Sequence, residues 1–174
     1  MYEKVVMRCT NCGKRMKKTV KDYHYTECGL DNVILKDLTM YVCTCGEEGP
    51  LIPHVNELHK VIALLITKIT APLEGQEIKF LRKEMGLKAK ELANILDVSP
   101  ITISRWETGQ ADIGSANDRL LRLLFIRDLE GKCEQFIDQN MREIFKNIRE
   151  KRHIIKKVNI PVNNIPELLP CQIQ

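Results

Sequence analysis

Aromatic side chains are scarce, 5% of 174 residues with a single tryptophan, so any core must be built mainly from leucine and isoleucine. Long apolar runs are missing too. The longest, 61-VIALLI-66, falls far short of the roughly 20 residues that cross a bilayer and reads as buried helix instead. The first residues, MYEKVVMRCTNCG, pass straight into polar positions, without the basic start, apolar stretch and small-residue cleavage site of an export signal. The expectation is a cytoplasmic protein with no membrane partner. There is no internal repeat and no even cysteine count. Seven cysteines, five of them before residue 46, point in a reducing compartment to metal ligation over disulfides.

That uneven distribution predicts two small domains over one medium one. The fold class expected is α+β: a zinc-ribbon-like β domain over residues 1–52, a helical linker over 53–75, an all-α helix-turn-helix domain over 76–130, and a helical extension with an extended tail over 131–174. In the front part, 19-TVKDYHYTE-27 and 33-VILKDLTMYV-42 alternate and are rich in β-formers, with a turn at 28–32 between them. From residue 56 the spacing becomes helical, with Leu58, Ile62, Leu65 and Ile69 on one stripe. Helices follow over 76–85, 88–96, 99–107 and near 116–129, the last expected to turn Leu120, Leu123, Leu124 and Ile126 inward. Residues 132–152 have an amphipathic helical pattern. The tail, with prolines at 161, 166 and 170, is expected to be extended or mobile rather than helical.

The net charge of +4 conceals a concentration of basic residues at the front. Residues 1–21 hold Lys4, Arg8, Lys14, Arg15, Lys17, Lys18 and Lys21 against Glu3 alone. Such a cluster meets phosphate or an acidic partner, or simply keeps a small domain soluble.

Cys9 and Cys12, two residues apart with Gly13 behind them, have the spacing of half a zinc site. Cys43 and Cys45 supply the other half. Their single intervening residue is an unusual spacing, and Cys28, His24 or His54 is the alternative to Cys43. Four thiolates make a closed, structural Zn²⁺ site in which the metal helps a small core to fold. Glu47, Glu48 and His54 lie near enough in sequence to suggest hydrolysis, but a fully thiolate-bound ion has no position for water, so no enzymatic activity and no catalytic residue is expected.

Ser99 suits an N-cap, Pro100 suits the first helical position, and Gly109 closes the helix that they open. At about 100° per residue, Ile103 and Trp106 face one side while Ile101, Ser104 and Arg105 face the other. A short helix bearing Leu92, Ala93 and Leu96, the turn Asp97-Val98, and then this helix have the spacing of a helix-turn-helix, whose second helix enters the major groove of DNA. Arg105 offers a fork to guanine and Ile101 a contact for a thymine methyl. Ser99, Thr102 and Ser104 bond phosphate or base edges, and Lys88 and Lys90 position the backbone. The plainer alternative pairs Arg105 with Glu91 or Glu107 on the surface. Residues 76–128 carry nine basic and eight acidic groups, so long-range attraction to DNA is weak and a homodimer on a palindromic operator is expected to add the missing affinity.

The stretch 87-LKAKELANILDVSPITISRWETG-109 resembles the phage-repressor type of helix-turn-helix, departing from it at Ala89, where glutamine is common. With the cysteine pairs, the segment YTECGLDNVIL and LEGQEIKFLRKEMG before it, the chain over about residues 5–126 is similar to the YgiT-type family that includes the MqsA antitoxins. The resemblance implies structural zinc on Cys9, Cys12, Cys43 and Cys45 and a recognition arginine at Arg105. It also implies a front domain able to bind and neutralise an RNA-cleaving toxin, and a dimeric helical domain that represses its own operon. A transcriptional regulator without a toxin is the alternative that the basic front end favours.

Overall fold

The computed structural model describes residues 7–133 and 157–169 of the chain. Lys4, the amphipathic pattern beyond residue 133, His153 and Cys171 lie outside the described residues.

The α+β architecture is as the sequence implies: among the described residues three strands come first, five helices follow, and the tail adds a fourth strand and a helical turn. Strand β1 (Lys17–His24) pairs antiparallel with β2 (Val33–Val42), and Cys28–Asn32 form the turn region between. Val33 and Leu35 are buried, and so are Leu38 and Met40, so the inward parity changes within the strand. The cause is a bulge. Register shifts between Lys21 and Tyr23 on β1, opposite Asp37, which has φ of 55° and breaks the alternation by one residue. Asp22 holds the bulge, accepting from Lys36 Nζ at 2.5 Å.

The other edge of β2 is covered by two short strands. Strand β3 (Glu48–Pro50) pairs antiparallel with Met40–Val42, and β4 (Val158–Pro161) pairs in parallel with Val33–Lys36. Neither strand is among the elements expected from the pattern of residues. The tail is extended where β4 runs, but it then makes a 3₁₀ turn at Val162–Asn164 and a helical turn, Ile165–Leu168, which we label α6 after the five helices below. Val158, Ile160, Val162, Ile165 and Leu169 are buried, so this part of the tail belongs to the core. The expectation of an extended or mobile, non-helical tail is corrected to that extent: burial of apolar side chains against β2 and the first helix, Val55–Lys68, outweighs the signal from proline.

Helix α1 (Val55–Lys68) buries Leu58, Val61, Ile62, Ala63, Leu64, Ile66 and Thr67, and leaves the expected stripe member Leu65 exposed. It is enclosed because the sheet and tail, α2 and α5 all pack on it. Helices α2 (Gly75–Glu84), α3 (Ala89–Ile95) and α4 (Pro100–Glu107) form a compact group. At its first residue α2 meets the end of α4 so closely that a Cβ on Gly75 would sit 2.6 Å from the carbonyl oxygen of Trp106.

Helix α5 (Ser115–Cys133) presents a different face from the one expected. Leu121, Phe125, Ile126 and Leu129 are buried, whereas Leu120 and Leu123 are exposed and Leu124 is only partly covered. The rotation is explained by Asp118 and Arg122, which are buried together. Arg122 Nε donates to Asp118 Oδ1 at 2.6 Å, and its terminal nitrogens donate to the carbonyls of Thr67 at 3.1 Å, Ala71 at 2.7 Å and Ile69. Asp118 Oδ2 accepts the backbone N–H of Leu73 at 2.6 Å. The guanidinium therefore satisfies the carbonyls left over at the end of α1, where the helix dipole also favours a cation.

Candidate metal centre and nucleic-acid interface

Two tight turns bring the cysteines together. Gly13 N–H donates to the carbonyl of Cys9 at 2.9 Å, and Gly46 N–H to that of Cys43 at 3.1 Å. Gly13 and Gly46 have φ of 71° and 93°, the left-handed region that lets the chain turn beneath a sulfur pair. A bridge between Arg8 and Arg15 closes the first turn. The ligand atoms of Cys9, Cys12, Cys43 and Cys45 lie within 4.8 Å of one another, with Cys12 Sγ 3.4 Å from Cys43 Sγ and Cys9 Sγ 3.6 Å from Cys45 Sγ.

These separations are too long for a disulfide, whose sulfurs lie about 2.05 Å apart. They suit a tetrahedron instead, because a metal–sulfur bond of about 2.3 Å places its thiolates about 3.8 Å apart. The four cysteines could hold a metal ion. Without one, Cys43 and Cys12 are driven in opposite directions. Cys43 is lowered to about 6, chiefly because the backbone N–H of Cys45 bonds its sulfur. Cys12 is pushed up to about 12: the backbone N–H of Lys14 pulls the other way, but the hydrogen bonds to Cys43 and Cys45 and burial outweigh it. Thiolates this close repel one another, and a cation among them favours the charged form.

The alternatives to Cys43 are placed elsewhere. Cys28 Sγ donates to the carbonyl of Tyr25 at 3.2 Å, His24 Nε2 bonds the carbonyl of Asp31 at 2.7 Å, and His54 is an exposed residue at the start of α1. The front-end basic residues Arg8, Lys14, Arg15, Lys17 and Lys18 are all exposed. Lys21 pairs with Glu48 across the sheet.

In the helical part, α3 and α4 are joined through Asp97, at φ of 52°, and Val98 N–H donates to the carbonyl of Ala93 at 3.0 Å. Ser99 Oγ accepts the backbone N–H of Thr102 at 3.1 Å, capping α4, and also bonds Thr102 Oγ1 at 2.9 Å. Both hydroxyls are thus engaged with each other. Ile103 and Trp106 face the core, while Ser104 and Arg105 are exposed and Ile101 stands 66% exposed on the outside of α4. Lys88 and Lys90 are exposed on the start of α3.

Sequence reasoning missed the pair that sets this helix. Arg82 Nε donates to Glu107 Oε1 at 2.5 Å and Nη2 to Oε2 at 3.0 Å, while Nη1 donates to the carbonyl of Leu87 at 2.7 Å. The side chains are only 12% and 10% exposed. This bidentate hold ties α2 to the end of α4, and it keeps the Arg82 guanidinium even more firmly charged than usual. Because Glu107 is engaged inward, it is not a surface partner for Arg105. Glu91 accepts the backbone N–H of Lys88 at 2.6 Å. Among the described residues no ion pair involves Arg105. Arg82 lies on α2 and Glu107 ends α4, with α3 between them, so no local spacing marks the pair in the sequence.

Among the described residues, no helix is long and apolar enough to cross a membrane. No curated protein and no solved structure matches the chain. A family model described as "Antitoxin component of bacterial toxin-antitoxin system, MqsA" matches residues 7–128, more than half of the chain. The chain therefore belongs to the MqsA antitoxin family.

Proposed function

We infer that the protein is an autoregulating antitoxin: a cytoplasmic, homodimeric repressor that binds a palindromic double-stranded operator and whose cysteine-bearing sheet docks a ribonuclease toxin. Its working divisions on this reading are the metal-binding unit of residues 1–52, the connecting segment 53–75, the DNA-reading unit 76–130 and the extension 131–174. Zn²⁺ would be held by Cys9, Cys12, Cys43 and Cys45, with a structural role and no reaction of its own.

The observation that carries the DNA-binding reading is the outer side of α4, where Arg105 and Ile101 stand clear of the core and Arg105 has no acidic neighbour engaged with it. Arg105 would fork onto guanine O6 and N7, and Ile101 would meet a thymine methyl one turn earlier. Ser104 has an uncommitted face for a base edge or phosphate. Ser99 and Thr102 reach phosphate by turning hydroxyls that already bond each other. Lys88 and Lys90 would anchor the register on the backbone.

The test is a gel-shift titration on DNA from upstream of the chain's own reading frame. Arg105→Ala should lose about 1 to 3 kcal/mol of specific binding and become indifferent to one base position. Unchanged affinity would refute the assignment. A regulator without a toxin is the second reading, favoured by the exposed basic front end, since ribonuclease toxins tend to be basic and like charges repel. Co-expression with the product of the adjacent reading frame separates them: a small basic protein that co-purifies through the cysteine-bearing sheet establishes the antitoxin.

A further inference from the structure

We propose that the groove between the Val33–Lys36 edge of β2 and helix α1 is a receptor for an extended aliphatic strand, filled by the chain's own tail and open to a strand of another protein when the tail leaves. The inference does not depend on the DNA-binding reading.

The occupant defines the chemistry. Val158, Ile160, Val162 and Ile165 are buried, while Asn159, Pro161 and Asn163 between them are exposed. That is the pattern of a strand laid on a sheet edge, with every second side chain pressed into an apolar floor. Main-chain pairing fixes the direction: Val158 lies beside Val33 and Pro161 beside Lys36, and Val158 N–H donates to the carbonyl of Asn32 at 2.8 Å. Val33 and Leu35 belong to the buried side of β2, and α1 packs on β4 and α6 from above.

The groove and its occupant lie on different parts of the chain. Walls and floor lie within residues 7–128, the part matched by the family, whereas the strand that fills it comes from residues 158–169, outside that match. Without the tail, the ladder positions of β2 at Val33–Lys36 would be open, because β3 reaches only Met40–Val42. An open strand edge beside an apolar floor is a template for strand addition. The hold of the tail is short: four paired residues ending at Pro161, which has no N–H to extend the ladder. Its advantage over a rival strand is the tether, which keeps its local concentration high. A partner that fits is therefore one that offers Val or Ile at alternate positions of an extended segment and a high local concentration of its own.

The experiment uses the full chain carrying Ile160→Asp and a fluorescent peptide of residues 157–169, KVNIPVNNIPELL, read by anisotropy. The substitution should unseat the tail, seen as new trypsin cleavage after Lys157. The variant should then bind the peptide saturably and at least about tenfold more tightly than the unaltered chain, while the peptide bearing the same Ile160→Asp change should not bind. A variant that is cleaved at Lys157 but ignores the peptide would show mere packing and overturn the proposal. Absence of cleavage would overturn it as well, because Ile160 would not be an anchor. If the variant unfolds, amide exchange of the unaltered chain decides. Asn159, Ile160 and Val162 exchanging well ahead of β2 residues 38–42 supports a separately opening strand, and exchange of both sets together refutes it.

Discussion

Replacing Arg82 by alanine tests how helix α4 is held. Arg82 reaches Glu107 through two hydrogen bonds and the carbonyl of Leu87 through a third. Its removal leaves a carboxylate that is only 10% exposed without its cation. Breaking a buried pair in this one-sided way costs about 3 to 5 kcal/mol. Because both side chains keep a little water contact, the lower end applies, about 3 kcal/mol, or about a hundredfold in the folded ratio. The assay is guanidinium denaturation followed through Trp106, the single tryptophan, which lies on α4 itself. The double change Arg82→Met with Glu107→Leu removes both charges and should recover stability to within about 1 kcal/mol of the unaltered protein, since a buried pair replaced by apolar groups is often neutral. If Arg82→Ala shifts stability by less than about 0.5 kcal/mol, or if the double variant is as unstable as the single one, the pair does not hold α4 as described.

Three further changes probe other contacts. Gly75→Ala puts a methyl 2.6 Å from the Trp106 carbonyl and should cost about 1 to 3 kcal/mol through forced separation of α2 and α4; an unchanged melting temperature would contradict the close approach. Arg122→Met leaves Asp118 buried without its cation and several carbonyls without donors, and should lower stability by about 3 kcal/mol or more in thermal unfolding followed by circular dichroism. The purified protein should carry about one zinc per chain, and Cys45→Ser should lower that content sharply; metal analysis giving equal zinc in both proteins would remove Cys45 from the site.

The parts that were legible in the sequence are those whose physics is local. Ser99, Pro100 and Gly109 mark the ends of α4 through caps and backbone freedom, and Ile103 with Trp106 mark its inner side by spacing alone. Cys9 and Cys12 announce themselves by separation and by Gly13. The face of α5 was not legible, because 120-LLRLLFIRDL-129 has leucine around most of the helix. Its orientation is decided by the Asp118–Arg122 pair and the end of α1, far away in the chain. Strand β4 escaped for a similar reason: its alternation is only four residues long, and what makes it a strand is the vacant side of β2, more than a hundred residues earlier. Asp37 shows a third kind of concealment, in which one residue in an unusual backbone region moves the buried positions from 33 and 35 to 38 and 40.

The same long-range contacts join the two ends of the molecule. Tyr25 Oη, just beyond β1, bonds His59 Nε2 on α1 at 2.9 Å, and His59 Nδ1 bonds Glu84 Oε1 on α2 at 3.1 Å. Phe80 meets the same imidazole edge-on, with centroids 5.7 Å apart. Gln76 at the start of α2 donates to Asp31 in the turn before β2 at 2.8 Å. Helix α2 in turn holds α4 through Arg82, so side-chain links run from the sheet through α2 to α4. A ligand on the sheet alters the behaviour of α4 only by contacts that differ between two arrangements of these links. One that leaves both Tyr25 and the Gln76–Asp31 contact in place acts through none of these side-chain links. One that withdraws Tyr25 takes a hydrogen-bond partner from His59, whose other ring nitrogen bonds Glu84 on the helix that carries Arg82.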